Sequence, residues 1–259
     1  GRAGAAARMT LHVEVRGRGP DVVLLHGWAL HGGTWGPWLA ELERHATLHV
    51  VDLPGHGASP WAHAIDGLAD LADAIGPHVP ERATLLGWSL GGLVALEFAR
   101  RQPRRAEGLV LVATTPRFVS GDDWEHGVAP ATLEDFARRL GADYRGTVQN
   151  FLALQTSGDE HARATLRVLR RHVDARPAPA PEALTKGLAM LRRADLRPAL
   201  ASIATRALVL SGERDRLTPA AAVLELASRL PDARHVLIPR AAHAPFLSHA
   251  DEVLRAVLA

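Results

Sequence analysis

Short apolar runs alternate with amphipathic stretches along most of this chain, the rhythm of a βα sequence. Leu11 to Val15 alternates apolar and polar positions and predicts an edge strand, stopped by Gly17-Arg18-Gly19-Pro20. Val22 to Leu25 is continuously apolar, as a parallel strand buried on both faces must be. Trp35 to Leu42 predicts a short helix, Thr47 to Val51 a strand, and Ile65 to Ile75 an amphipathic helix. Ala83 to Leu86 and Leu109 to Ala113 are further buried strands, with a helical pattern from Leu93 to Arg101 between them. The rhythm then changes. Residues 131–140, 147–154, 160–173 and 181–191 all carry helical periodicity, with Gly and Pro between them and no strand-like run. Strands return at Arg206 to Leu210 and at His235 to Ile238, each followed by a helix.

An α/β fold follows, with a mostly parallel central sheet flanked by helices and an all-helical insertion over one edge. The expected divisions are a loose tail at 1–8, a core made of 9–115 and 192–259, and a helical lid at 116–191. Arg176-Pro177-Ala178-Pro179-Ala180-Pro181 reads as a stiff connector inside that lid.

Composition narrows the function classes. A chain of 259 residues buries roughly 70–75% of its unfolded surface and needs no staple. The lack of cysteine removes disulfides, thiolate metal sites and thiol nucleophiles together. No apolar run approaches the ~20 residues of a membrane span, and the opening residues lack the pattern of a signal peptide. A cytoplasmic monomer is the expectation. The sequence pI of 9.8 suggests nucleic acid, but the formal charge of +2 does not support that partner. Charge is uneven, however. Between Arg138 and Arg171 seven arginines face only Asp143, Asp159 and Glu160, a net of +4, so the remainder sums to −2.

The candidate chemistry centres on Gly87-Trp88-Ser89-Leu90-Gly91-Gly92, a serine between glycines where a buried strand meets a helix. Such a turn strains the serine backbone, and side chains at 87 and 91 would collide with neighbouring backbone. Serine needs a base held by an acid. His243 and Asp215 each follow a strand, so a parallel sheet brings both to the edge where Ser89 stands. The order Ser, Asp, His fits a nucleophile, orienting acid and base. Asp215 is also placed to cap the helix near Pro219. Glu213 is the second choice for the acid, and Asp123, Asp135 and Asp195 are rivals. The backbone N–H groups of Leu90 and of Trp28, after His26-Gly27, are the expected oxyanion donors. His26 is read as a residue that pins its loop. Phosphate-cradle motifs are absent, and His26/His31 and His243/His249 lack the spacing of a zinc hydrolase, so neither a metal nor a cofactor is expected.

Several stretches together resemble the α/β-hydrolase superfamily and, more narrowly, the BioH family of pimeloyl-acyl-carrier-protein methyl ester esterases in biotin synthesis. They are Leu24-Leu25-His26-Gly27-Trp28, Val51-Asp52-Leu53-Pro54-Gly55 and Leu86 to Ala95. Phe151-Leu152-Ala153-Leu154-Gln155-Thr156 and Ala241-Ala242-His243-Ala244-Pro245-Phe246 add to them. The resemblance implies Ser89, Asp215 and His243 as the triad and Trp28 and Leu90 as the oxyanion hole. It implies Trp28, Phe151 and Gln155 at the substrate. Its partner would be an acidic acyl carrier protein, met by Arg145, Arg163 and Arg167. Arg163 and Arg167 stand four apart, on one helix face. Gly146 and Asn150 depart from the pattern, standing where two further arginines are expected. A general short-chain carboxylesterase is the alternative, and a non-catalytic ligand-binding protein of the same fold a further one.

Overall fold

The structure, a computed structural model, describes residues 9–259; the expected tail at 1–8 lies outside the described residues. Seven strands form one sheet: β1 (Val13–Gly17), β2 (Asp21–Leu25), β3 (Thr47–Val51), β4 (Ala83–Trp88), β5 (Ala106–Val112), β6 (Ala207–Gly212) and β7 (Ala233–Ile238), in the order β1-β3-β2-β4-β5-β6-β7. Only β1 runs antiparallel, paired to β3 from Val13 opposite Val51 to Gly17 opposite Thr47. All other pairings are parallel. The expected fold class is borne out, with β1 at the edge its alternating pattern predicts.

Successive residues of a strand face opposite sides, and the buried ones divide accordingly. Leu24, Leu86, Val110 and Val112 join one core together with Trp35, Trp88 and Phe246. Val23, Leu25, Leu85, Leu109 and Leu111 join a second core on the other face. The helices follow these cores. α1 (Trp38–Leu42) packs on the first, while α2 (Leu68–Ile75) and α3 (Leu90–Arg101) cover the second.

Between β5 and β6 come four helices, α4 (Pro130–Ala142), α5 (Tyr144–Thr156), α6 (Ala162–Val173) and α7 (Pro181–Arg193). Their buried Leu133, Val148, Phe151, Leu152, Leu169, Leu184 and Leu188 belong to the first core, so this block shares its apolar interior with the sheet. α8 (Ala220–Arg229), α9 (Pro245–Ser248) and α10 (Ala250–Leu258) complete the chain. Among the described residues no helix is long and apolar enough to cross a membrane.

Several helix starts differ from the periodicity reading. Gly36, at φ 58°, and Pro37 divide the expected Trp35–Leu42 helix into a 3-10 turn (Gly32–Trp35) and α1. α2 begins at Leu68, where the Asp70 carboxylate accepts the N–H groups of Asp66 and Gly67 at 2.9 and 3.0 Å. α3 begins at Leu90, a turn earlier than the expected Leu93, since Gly91 and Gly92 carry no side chain by which periodicity could show that turn.

Candidate active site

β4 ends at Trp88 and α3 begins at Leu90, so Ser89 alone makes the turn. Its backbone has φ 55° and ψ −116°, a left-side conformation that an L-residue adopts only under constraint. The constraint is visible on both sides. A Cβ on Gly91 would run into the Leu25 carbonyl, and one on Gly87 into the Gly91 carbonyl. The Ser89 N–H donates to Val112 O at 3.0 Å, and Thr114 Oγ1 donates to Ser89 O at 2.8 Å, which fixes the turn from β5.

The loops after β6 and β7 are pressed together. Arg214 N donates to Ala241 O at 2.8 Å, Glu213 N to Ile238 O at 3.0 Å, and Gly212 leaves no room for a side chain beneath Ala242. That contact brings Asp215 to His243. The His243 Nδ1–H donates to Asp215 Oδ2 at 2.8 Å, with both side chains almost wholly buried. Asp215 Oδ1 accepts Leu217 N and Thr218 N at 2.8 and 3.0 Å, and Thr218 Oγ1 donates to Oδ2 at 2.5 Å. With Nδ1 carrying the proton, Nε2 carries the lone pair. Nε2 is buried and has no hydrogen-bond partner among the described residues. Glu213 is directed elsewhere and accepts Arg240 N at 2.8 Å. Asp123 and Asp195 are taken up by Arg117 and Arg197, and Asp135 pairs with Arg138 and Arg139 on α4.

Trp88 is a structural partner of this base that motif reading passes over. Its Nε1–H donates to His243 O at 2.8 Å, and its ring meets Phe246 edge-on at 4.9 Å. Thr218 is another. A hydroxyl three residues after an aspartate is a common local pattern, so it gave no signal in the sequence.

The loop His26-Gly27-Trp28 lies against the serine: a Cβ on Gly27 would stand 3.5 Å from Ser89 Cβ. The N–H groups of Leu90, first residue of α3, and of Trp28 have no partner among the described residues. Both are therefore available to an oxyanion beside Ser89. His26 fastens the loop. Its Nδ1–H donates to Gly27 O at 2.8 Å and its Nε2 accepts Leu53 N at 2.9 Å. Burial, aided by neighbouring His56, pushes the His26 pKa down to about 3, so the ring is neutral.

Helices α5 and α7 close the site. The Trp28 indole donates to Leu184 O at 2.9 Å, abuts Gly187, and meets Phe151 edge-on at 4.8 Å. Gln155 accepts His243 N at 3.0 Å through its backbone, and its side-chain Oε1 is buried without a partner. Ser89 is only 3% exposed in this arrangement.

The arginines stand apart from the serine. Arg145 on α5 and Arg163 and Arg167 on α6 are exposed, with no ion-pair partner among the described residues. At Gly146 the backbone N–H is bonded to Asp143 Oδ1 at 2.9 Å, and a side chain would strike that carboxylate. Gly146 and Asn150 carry no basic group and line, with Arg139 and Asp143, a shallow groove of about 330 Å³.

A buried nucleophile position, a bare imidazole nitrogen and two unpaired N–H groups can together support acyl transfer. Residues 22–256 match the Alpha/beta hydrolase family. The chain is 48% identical over 247 residues to the pimeloyl-acyl-carrier-protein methyl ester esterase of Xanthomonas campestris pv. campestris (strain B100), covering 95% of this chain and 97% of that protein. It is 46% identical over 247 residues to the protein of the same description from Stenotrophomonas maltophilia (strain K279a), covering 95% of each. In fold it is similar to an esterase from Exiguobacterium antarcticum, with TM-score 0.87 and 20% identity over 96% of this chain and 94% of that one.

Proposed function

Since the chain belongs to the Alpha/beta hydrolase family and, within it, to the pimeloyl-acyl-carrier-protein methyl ester esterases, we propose that it is a carboxylic ester hydrolase cleaving the methyl ester of a carrier-borne pimeloyl group, a step of biotin precursor synthesis. Ser89 is the nucleophile, His243 the base and Asp215 its orienting acid. Ser89 Oγ attacks the ester carbonyl while His243 Nε2 takes its proton. The N–H groups of Leu90 and Trp28 stabilise the oxyanion. His243 then returns the proton to departing methanol, leaving an acyl-enzyme that water hydrolyses by the same relay. Asp215 holds the Nδ1–H tautomer and stabilises the imidazolium.

The observation that carries this chemistry is His243, with one nitrogen bound to Asp215 and the other buried and unpartnered. The substrate rests on the relatives. Helices α4 to α7 serve as a lid, with Phe151 and Gln155 facing the acyl chain beside Trp28. Arg145, Arg163 and Arg167 meet the acidic carrier. The lack of a basic side chain at Gly146 and Asn150 favours a second reading, a general short-chain carboxylesterase with a weak carrier preference.

The test is kcat/KM on pimeloyl-carrier-protein methyl ester and on p-nitrophenyl acetate, at low and moderate salt. Carrier preference should fall with salt and fall again in the double variant Arg163→Glu/Arg167→Glu. Equal rates without a salt effect would select the general esterase. Ser89→Ala should abolish turnover of both esters with the fold intact, and substantial residual activity would overturn the nucleophile assignment.

A further inference from the structure

Where α6 begins, the fold brings together three metal-ligating side chains that the esterase chemistry does not use. Glu160 and His161 come from the residues just before that helix, and His249 from the turn between α9 and α10, six residues after His243. Glu160 Oε1 lies 3.0 Å from His249 Nε2 and 3.7 Å from His161 Nε2, and one ligand atom from each of the three residues fits within 4.8 Å of the others. We propose that these three side chains form a binding site for a divalent transition metal of the zinc class, which clamps the helical block to the sheet domain.

The donor set and spacing both fit. Two imidazoles and one carboxylate are the mixed nitrogen and oxygen set that zinc takes. Two bonds of about 2.0–2.1 Å meeting at the tetrahedral angle put their donor atoms about 3.3 Å apart. The two separations from Glu160 bracket that value, and the two histidine nitrogens lie within 4.8 Å of each other. The third ring can adjust, because the His161 side chain is 55% exposed. His249, by contrast, is held: its side chain is 5% exposed, and its Nδ1 bonds Ser248 Oγ at 2.8 Å. That second contact orients Nε2 towards the cluster, the role outer partners play in metal sites.

The backbone around the cluster is fastened independently. Asp159 Oδ1 accepts His161 N at 2.7 Å, Asp159 Oδ2 accepts Ala242 N at 2.8 Å, and Glu160 N donates to Arg240 O at 3.2 Å. Without metal, the same corner works as an ion-pair cluster in which Arg240 Nη1 approaches Glu160 Oε2 at 3.3 Å. Arg240 takes the carboxylate oxygen that the proposed ion does not need. Its side chain is 59% exposed and can turn to solvent when a cation arrives.

The experiment uses the untagged full chain and Zn²⁺, in equilibrium dialysis and in thermal melts. One equivalent should bind with a micromolar Kd, and saturating Zn²⁺ should raise Tm by about 5 °C or more. His161→Ala, at an exposed position, and Glu160→Gln should each weaken binding at least tenfold and abolish the Tm rise. The control His12→Ala, at a histidine on the far edge strand side, should do neither. Equal Zn²⁺ affinity in the wild type and His161→Ala would overturn the site. Stoichiometric binding with no Tm rise would overturn the clamp. Neither readout depends on esterase activity, so failure here and failure of the proposed reaction are separable.

Discussion

Two neutral histidines, one within the His26-Gly27-Trp28 loop and one against it, should make this fold sensitive to mild acid. His26 and His56 are buried, with ring centroids 5.2 Å apart. Burial lowers their pKa values to about 3 and about 4, while hydrogen bonds to Gly27 O and Pro54 O offset part of the shift. In the unfolded chain both titrate near 6.5. Because the folded values are depressed, the unfolded state binds more protons once pH drops below about 6.5. Stability is therefore fully present above that pH and is lost as pH falls towards the folded values. At pH 5 each ring costs about 2 kcal/mol by linkage, roughly 4 kcal/mol together. That is a large share of the ~5–15 kcal/mol that holds a typical domain.

The measurement is urea unfolding of the wild type and of His56→Asn at pH 7.0, 6.0, 5.5 and 5.0. Only the slope of unfolding free energy against pH is compared, so any loss that the substitution causes at pH 7 drops out. The variant should lose roughly 2 kcal/mol less than the wild type between pH 7 and pH 5. His31, His172 and His235 are also lowered, chiefly by burial, and add the same sign of slope to both proteins. Identical slopes would refute the argument, as would a wild type whose stability stays level down to pH 5.

Other side chains offer sharper tests of single contacts. Arg176→Met leaves Asp52, whose side chain is wholly buried, without its guanidinium partner. A broken buried pair costs about 3–5 kcal/mol, so Tm should fall by roughly 10 °C, read by calorimetry. Thr218→Val removes the hydroxyl that donates to Asp215 Oδ2 and should lower kcat by roughly 10- to 100-fold at unchanged KM, from the ~1.5–3 kcal/mol of a charged hydrogen bond. Gly91→Ala drives a methyl group into the Leu25 carbonyl, and its cost should exceed the ~1–3 kcal/mol of ordinary overpacking, seen as loss of soluble folded protein.

How much of this was legible in the sequence depends on the range of each constraint. The turn at Ser89 is forced by its own neighbours, so Gly87 and Gly91 announce it locally. The sheet is legible because continuous runs such as Val22 to Leu25 need burial on both faces. Strand ends also tell which loops share an edge, which is why Asp215 and His243 could be paired on paper. They left Glu213 as second choice to Asp215, since both follow β6 within three residues. The pressed loops separate them fully, carrying Glu213 to Arg240 N and Asp215 to His243 Nδ1. Contacts across long separations left no trace. Arg176 reaches Asp52 across 124 positions and His249 reaches Glu160 across 89. Each looks like an ordinary polar residue in its own segment.

Those long-range contacts decide which parts of the helical block can yield to substrate. At one end Arg176 forks onto Asp52 and Glu14, and His31 Nε2 donates to His172 O at 2.6 Å. At the other, Asp159 holds Ala242 N and Glu160 pairs with His249. Both ends of α6 are thus tied to the sheet by charged or backbone bonds. α5 and α7 instead meet the Trp28 indole mainly through apolar packing, by Phe151 and Gly187, with the single bond to Leu184 O. Their polar ties lie at their ends, where Gln155 O accepts His243 N at 3.0 Å and Ala180 N, just before α7, donates to Gly55 O at 2.8 Å. Apolar contacts slide at little cost, whereas desolvated charge pairs do not. Displacement over Ser89 therefore costs least where α5 and α7 pack on Trp28, between their tied ends, with α6 held at both of its own.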